Sequence, residues 1–266
     1  MSTPPSLRPA STNHLLPLGA LAVGLGLSQG PAAAQTAVVE LAQVAPVLVT
    51  GKTDRQGKGS PKVDTTRIGK GLQELRDVPQ SLTVVTEKLI DDRNLDTLKD
   101  VLKNTAGITF LAAEGGEEDI RLRGFPLQAT GDVFVDGMRD PAFYERDTFF
   151  YDRLEVLRGS ASMLFGRGST GGAVNQVSKL PRLMDEHQID VTLGNHDYGR
   201  LVGDFNFRLG ESAALRLGTM VTKADDNGAG SSLDKQGVAL ALRWGIGERH
   251  EFLLSGYHLD NQNGMN

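Results

Sequence analysis

The sequence predicts a small α+β domain followed by the first strands of an antiparallel transmembrane β-barrel. Glycine accounts for 32 of the 266 residues, well above its average usage of roughly 7%, which favours turns and close backbone approaches over long packed helices. Up to about residue 181 the pattern mixes short strands with a helix. From residue 182 onward apolar and polar residues alternate in segments of about ten, as expected for strands with lipid on one face and a polar lumen on the other.

The first 34 residues have the organisation of a secretory signal peptide. A polar stretch that includes Arg8 is followed by an apolar run from Leu15 to Leu27 and then by three alanines ending at Ala34, which predicts cleavage after Ala34. The apolar run is shorter than the ~20 residues that a membrane-spanning helix needs. The mature protein is therefore expected to leave the cytoplasm.

Residues 35–75 contain few large apolar groups and are predicted to form a flexible tail. The exception is the segment from Val44 to Thr50, which is rich in residues of high β propensity. Such a segment can add a strand to the edge of a partner's sheet, or it can be an ordinary edge strand of this protein. From composition alone the ordinary strand is the preferred interpretation.

Residues 76–181 are predicted to form the small α+β domain. A strand is expected from Gln80 to Val85, and a helix from Asn94 to Leu102, with Asn94 as its cap and Gly107 beyond its end. Short strands separated by glycine-bearing turns are expected at 120–123, 132–135, 153–157 and 173–177.

Residues 182–266 are predicted to form the start of the barrel. Ile189, Val191 and Leu193 alternate with Asp190 and Thr192, which gives one apolar and one polar face. The same period recurs at 203–209, 215–222 and 238–244, and a fifth segment at 250–259 is patterned less cleanly. A soluble β-sandwich would show similar alternation, so the pattern by itself leaves that fold open.

Composition argues against several classes of function. The chain has no cysteine, which excludes disulfides and thiol chemistry, and its net charge of -5 gives no basic face for nucleic acid. The five histidines are scattered without metal-ligand spacing. No catalytic constellation stands out, so no enzyme activity, metal site or cofactor is predicted.

Residues Gly166 to Gly171 match the G-x-G-x-x-G pattern of dinucleotide-binding loops. That loop must precede a helix whose N-terminus meets the pyrophosphate, whereas the residues from Ala173 to Val177 are predicted to form a strand. The glycines are therefore interpreted as a structural turn.

Four blocks of sequence, in order, resemble the plug of TonB-dependent siderophore receptors. They are R-D-V-P-Q-S-L-T-V-V-T at 76–86, I-R-L-R-G-F at 120–125, V-F-V-D-G-M-R-D at 133–140, and R-L-E-V-L-R-G at 153–159 continuing through F-G-R-G to G-A-V-N at 172–175. Together they span about 100 residues, and their order makes the resemblance more specific than any single block. The sequences around 132–146 and 171–179 are most similar to the ferric-catecholate receptors.

The resemblance implies a barrel of about 22 strands in the outer membrane of a Gram-negative bacterium, with the plug filling its lumen. The predicted strands account for only five, so the chain is expected to be an N-terminal part of a receptor. Val47, Leu48, Val49 and Thr50 then correspond to the TonB box, the segment that the energy-transducing protein TonB binds by strand addition and pulls. Arg123 and Arg158 correspond to arginines that pair with carboxylates on the inner barrel wall.

The resemblance also implies a transported ligand, a ferric siderophore, bound by plug loops. The residues expected to contact it are Gln128, Arg139, Phe143, Tyr144 and Arg146. Aromatic and cationic groups suit an anionic ferric catecholate. A ferric hydroxamate or another scarce ligand is the alternative cargo, and a passive outer-membrane channel or a secreted adhesion module is a less favoured alternative function, because neither needs a partner-binding segment before a plug. The other expected partners are TonB and outer-membrane lipid.

Overall fold

The computed structural model describes residues 59–69, 71–111, 118–140, 143–166, 170–225 and 231–264. The signal peptide predicted at 1–34 and the TonB box predicted at 47–50 lie outside these residues. The predicted tail at 35–75 is described only in its last part, where two short strands, β1 (Thr65–Thr66) and β2 (Gln73–Glu74), pair antiparallel.

The next elements, up to residue 178, form the small domain. A 3₁₀ turn (Leu75–Asp77) precedes them. The helices are α1 (Glu87–Asp92), α2 (Leu98–Leu102), α3 (Leu127–Thr130) and α4 (Ser162–Phe165). The strands are β3 (Ser81–Thr86), β4 (Ile108–Leu111), β5 (Asp119–Leu122), β6 (Phe125–Pro126), β7 (Val133–Val135), β8 (Met138–Arg139), β9 (Tyr151–Arg158) and β10 (Gly172–Ser178).

The domain is built on a mixed sheet in the order β3-β9-β10-β7-β8, beside a second sheet in the order β4-β5-β6. The strand β10 runs parallel to β7 and antiparallel to β9. The central strands β9 and β10 are buried along nearly their whole length. Their inward residues, including Leu154, Val156 and Val174, pack with Leu98 and Leu102 of α2 in the main hydrophobic core.

The strands and the helix that the sequence predicts in this domain are present, with shifted ends. The helix predicted from Asn94 begins at Leu98, because Thr97 is the residue that caps it: its hydroxyl accepts a hydrogen bond from the Asp100 amide at 3.1 Å. Asn94 instead adopts a left-handed conformation with φ of 48° in the preceding turn. The short helix α1 is absent from the prediction.

The remaining strands form a second antiparallel sheet in sequential order, here called the wall. Its members are β11 (Glu186–Leu193), β12 (Gly199–Arg208), β13 (Ala213–Asp225), β14 (Ser232–Trp244) and β15 (Phe252–Asn261). The register is continuous over all four pairs. No helix in the described stretches is long and apolar enough to cross a membrane.

The two faces of the wall match the predicted alternation. The outer face exposes large apolar side chains, among them Ile189, Val191 and Leu240. The inner face carries small or polar residues, such as Ala239 and Arg216, which are buried against the small domain. Since neighbouring residues of a strand point to opposite faces, this arrangement follows directly from the period of two in the sequence.

Candidate functional site

The inner face of the wall contacts the small domain through several groups of residues. The first is an ion cluster around Arg200 on β12. Its guanidinium donates to both carboxylate oxygens of Asp147, at 2.9 and 2.7 Å, and lies 3.2 Å from Asp96. Tyr198, in the β11–β12 turn, donates to Asp96 as well. Burial raises the pKa of Asp96, and the positive charge of Arg200 acts in the opposite direction.

The second group is an aromatic contact on two glycines of the wall. The ring of Phe150 lies where a side chain at Gly218 would be, 2.4 Å from an ideal Cβ position, and Phe149 lies 2.7 Å from the same position at Gly237. Phe149 also stacks on Tyr257 of β15, with ring centroids 5.5 Å apart. The phenylalanines therefore occupy a notch that the wall provides only because both positions are glycine.

The third group is a second ion cluster, centred on Lys179. Its ammonium lies 2.8 Å from Glu87 at the start of α1 and donates to Asp204 of β12 at 3.1 Å. Arg216 of β13 donates to both oxygens of Asp204, at 2.8 and 2.6 Å. The pKa of Lys179 is raised, because the nearby carboxylates outweigh the opposing effect of complete burial. The cluster thus joins the end of β3 to the wall.

Lys235 of β14 makes a further contact with the domain, an ion pair with Glu145. Nearby, Asn261 donates to the Glu145 carbonyl oxygen at 2.8 Å. Glu145 lies in the loop of residues 143–150, which also contains Asp147, Phe149 and Phe150. This loop therefore supplies several of the domain's contacts with the wall.

The structure brings three of the predicted ligand residues together in the same loop. Arg146 is fully buried: it lies 3.2 Å from Glu118 and 2.8 Å from Asp140, and its guanidinium covers the ring of Tyr144 at 4.4 Å. Tyr144 donates its hydroxyl proton to Asp140 at 3.0 Å. Phe143 is exposed by 55%.

Glu118 is the buried carboxylate of this group. Burial raises its pKa to about 7, although the charge of Arg146 lowers it. Burial also raises the pKa of Tyr144, which keeps the phenol protonated as a donor. The loop is thus held by Arg146 between the carboxylates of Glu118 and Asp140. Of these two carboxylates, Glu118 can change its protonation state near neutral pH.

The other two predicted ligand residues lie apart from this loop. Arg139 donates to the carbonyl oxygens of Thr130, Gly131 and Phe165 at 2.9 to 3.1 Å, so it ties turns of the domain together. Gln128 is buried on α3 and accepts a hydrogen bond from the Ile120 amide at 3.1 Å.

The two arginines predicted to contact the barrel lie near each other at the far end of β9. Arg158 donates to the Ala106 carbonyl oxygen at 3.0 Å and to the Thr83 hydroxyl at 2.7 Å. Arg123 is exposed and has a left-handed backbone with φ of 54°. Within the described ranges neither residue makes an ion pair, and none of the hydrogen bonds of Arg158 reaches the wall.

The residues that hold the domain on the wall could not be recognised in the sequence. Asp147, Phe149, Phe150 and Lys179 lie in connecting segments, where no period indicates which way a side chain points. The sequence did contain one indication of this contact. Gly218 and Gly237 occupy inward positions of two strands, and glycine within a strand often marks a close approach by other atoms.

A mixed domain held by buried charges on the polar face of a sheet whose other face is apolar is the arrangement of a plug and the first strands of the barrel around it. The family model of the TonB-dependent receptor plug domain matches residues 74–173. The chain is 34% identical over 237 residues to the probable TonB-dependent receptor BfrD of Bordetella pertussis, covering 88% of this chain and 31% of that protein. It is 30% identical over 193 residues to the catecholate siderophore receptor Fiu of Escherichia coli (strain K12), covering 70% of this chain and 25% of that protein.

The fold agrees with these matches. The crystal structure of the siderophore receptor PiuA from Acinetobacter baumannii superposes with a TM-score of 0.71 at 29% identity, over 77% of this chain and 30% of that one. The chain belongs to the TonB-dependent receptors and carries their plug domain followed by the first strands of the barrel. It spans between a quarter and a third of the length of these relatives.

Proposed function

We propose that this chain is the gating part of an outer-membrane receptor that takes up ferric siderophores, with catecholates as the preferred class. The observation that carries the proposal is the plug docked on the inner face of the wall through buried ion pairs and the aromatic contact. A passive channel needs a hydrated inner surface, whereas here inward residues such as Arg200, Arg216 and Met220 are buried against the plug. The match to a catecholate siderophore receptor supports the ligand class.

The ligand contacts proposed are those of the 143–146 loop, where Phe143 offers an exposed aromatic surface for stacking on a catechol ring. Arg146 is buried between Glu118 and Asp140, so in this proposal it supports the loop beneath Tyr144 and offers no free charge to the ligand. Arg139 and Gln128 lie apart from the loop and support the ligand site by holding turns of the plug.

Energy for uptake is proposed to come from TonB, which would add a strand at Val47 to Thr50 and pull on the tail. The segment has the β propensity that strand addition requires. Deleting residues 44–50 should abolish uptake and leave ligand binding at the cell surface intact. An equal deletion at 36–42 is the matched control, because it shortens the same tail without touching the proposed box.

The proposal is tested by uptake of radioactive iron in an iron-starved strain that lacks its own siderophore receptors and expresses the intact receptor. Ferric catecholate and ferric hydroxamate are supplied in separate cultures, each with and without a functional tonB gene. Uptake of the catecholate alone, and only with TonB, is expected. Uptake of the hydroxamate alone would support the siderophore transporter but reject catecholates as its ligand class. Uptake without TonB would indicate a passive channel.

A further inference from the structure

A cavity of about 280 Å³ lies where the N-terminal tail, the plug and the wall meet. The tail contributes Arg67, and the plug contributes Thr86 and Asp152. The wall contributes Arg243, near the end of β14, and Arg182 lies in the segment that leads from the plug into β11. Three separate parts of this chain therefore bound the cavity.

The cavity lies at the opposite end of the wall from the proposed ligand loop. Lys235, which pairs with Glu145 of that loop, stands eight positions before Arg243 on the same inward side of β14. At ~3.4 Å per residue the two positions are roughly 27 Å apart. The tail on which TonB is proposed to pull lines the cavity, so in the proposed function this end faces the periplasm.

Positive charge dominates the lining of the cavity. The cationic side chains of the lining are those of Arg67, Lys88, Arg153, Arg182 and Arg243. The lining also contains two carboxylates, and both are engaged. Asp152 lies 2.8 Å from Arg153 and 3.6 Å from Arg182. Glu87 lies 2.8 Å from Lys179. The lining therefore carries more positive than negative charge, which favours an anionic occupant.

Arg67 is the cation of the lining that is most available to a ligand. Its backbone amide donates to the buried carboxylate of Glu155 at 3.0 Å, which holds the residue in place, and the residue is exposed. Among the residues that the structure describes, no carboxylate lies within ion-pair distance of its guanidinium. Its charge acts on Glu251, which already pairs with Arg243 at 2.6 Å. The other four cations of the lining each have a carboxylate partner.

An unpaired hydroxyl borders the cavity on the plug side. Thr86 is buried at the end of β3, and its hydroxyl has no hydrogen-bond partner within the described stretches. A buried polar group without a partner costs free energy, which an acceptor in the cavity would recover. The guanidinium of Arg67 and the hydroxyl of Thr86 are both donors, and anionic oxygen atoms accept from both.

We infer that this cavity is a second binding site for the anionic ferric chelate, at the end where the cargo leaves the receptor. The inference rests on the proposed function and extends it from the ligand loop to the periplasmic end. The volume lies at the lower limit of small-molecule sites, about 300 Å³. The site therefore takes one catecholate arm with its anionic oxygens and leaves the rest of the chelate outside.

The test counts the sites for a ferric catecholate on the purified, intact receptor in detergent, by equilibrium dialysis with radioactive iron. The unsubstituted receptor is expected to show one tight and one weaker site. Arg67→Gln combined with Arg243→Gln should weaken the second site about tenfold, because charge-assisted hydrogen bonds are lost, and leave the tight site within twofold. Phe143→Ala should weaken the tight site alone. Arg249→Gln, at an exposed position in the β14–β15 turn outside the cavity, is the control.

A single site in the unsubstituted receptor would overturn the inference. A second site whose affinity is unchanged in the double variant would overturn it as well. Circular dichroism checks the fold of each variant, and Arg67→Gln alone is used if the double variant is misfolded, since the Arg67 side chain has no ion-pair partner in the described part of the chain. A receptor that binds no ferric catecholate at all would contradict the proposed function, and a second measurement then decides the inference.

The second measurement uses 2,3-dihydroxybenzoate, a single catecholate arm without iron, and follows its binding by saturation-transfer NMR. The receptor carries Phe143→Ala, so that the ligand loop contributes little. Binding is expected, about tenfold weaker after Arg67→Gln and unchanged after Arg249→Gln. No binding, or binding that does not respond to Arg67→Gln, overturns the inference. Inorganic phosphate is titrated separately, and tighter binding of phosphate than of 2,3-dihydroxybenzoate would reject the cargo as the occupant of the site.

Discussion

Arg200 and Asp147 are 53 residues apart in the chain and form a buried, two-point ion pair between the wall and the plug, with nitrogen to oxygen distances of 2.9 and 2.7 Å. Arg200 also donates to Thr222 on the neighbouring strand at 2.8 Å. Because both charged groups are almost completely buried, each depends on the other for the hydrogen bonds that water would otherwise provide.

Replacing one partner of this pair should therefore destabilise the receptor strongly. We expect Arg200→Ala to lower the free energy of unfolding by about 3–5 kcal/mol, because it leaves Asp147 buried without its main partner. The measurement is guanidinium unfolding in detergent, followed by far-UV circular dichroism. The matched control is Lys223→Ala, which breaks the exposed pair with Asp234 on the same sheet and should cost less than about 1 kcal/mol. Equal costs for the two variants would contradict the role of the buried pair.

A methyl group at Gly218 should disrupt the aromatic contact. The Cβ of Gly218→Ala would lie 2.4 Å from Phe150, so the ring must move within a packed cluster, at a cost of about 1–3 kcal/mol. The control is Gly256→Ala on β15, where nothing lies within 4 Å of the added atom. Combining Gly218→Ala with Phe150→Leu should recover part of the loss. If the double variant is no more stable than Gly218→Ala, the clash is not the cause.

Stability should depend on pH through Glu118. Its pKa is raised by burial from 4.5 to about 7, so the folded protein binds its proton more tightly than the unfolded chain does. This contribution to stability is fully present below pH 4.5 and is lost as pH rises through about 7. Glu118→Gln mimics the protonated form, so the variant should gain stability relative to the parent protein across that range.

The measurement for Glu118 is the free energy of unfolding of both proteins from pH 4.5 to pH 8. Asp119→Asn is the control, since Asp119 pairs with Arg121 at the partly exposed neighbouring position. A difference between Glu118→Gln and the parent protein that does not change with pH would be evidence against a raised pKa.

Phe143 should contribute directly to siderophore affinity if the proposed ligand contacts are right. We expect Phe143→Ala to weaken binding of a ferric catecholate by about tenfold, equivalent to ~1.4 kcal/mol, because an exposed stacking surface is lost. The control is Leu111→Ala, which removes another exposed apolar side chain of the plug. Binding is measured by fluorescence quenching in the purified receptor, and unchanged affinity in Phe143→Ala would remove this residue from the proposed site.

The strands of the wall could be predicted from the sequence because a period of two depends only on neighbouring residues. Ile189 and Val191 point outward, and Ala239 and Ala241 point inward, as that period requires. The plug strands were found by the same means, with ends shifted by up to two residues, as at β9. The start of α2 was misplaced because Asn94 and Thr97 are both good caps, and only tertiary contacts decide between them.

The docking contacts could not be predicted, because they join residues that are distant in the chain. Nothing local distinguishes Asp147, which pairs with Arg200, from Asp136, which accepts from the Ser178 amide in a turn of the plug. The burial of Arg146 is a similar case. Its charge indicated a ligand contact, whereas its position is set by Glu118 and Asp140, 28 and 6 residues away.

The apolar outer face of the wall has a consequence for the protein outside a membrane. Large apolar side chains cover this face, among them Ile189, Leu240 and Leu254. In water, a contiguous apolar face favours association with other apolar surfaces. The same alternation of residues that suits the strands to lipid therefore makes the protein prone to aggregate wherever lipid is absent.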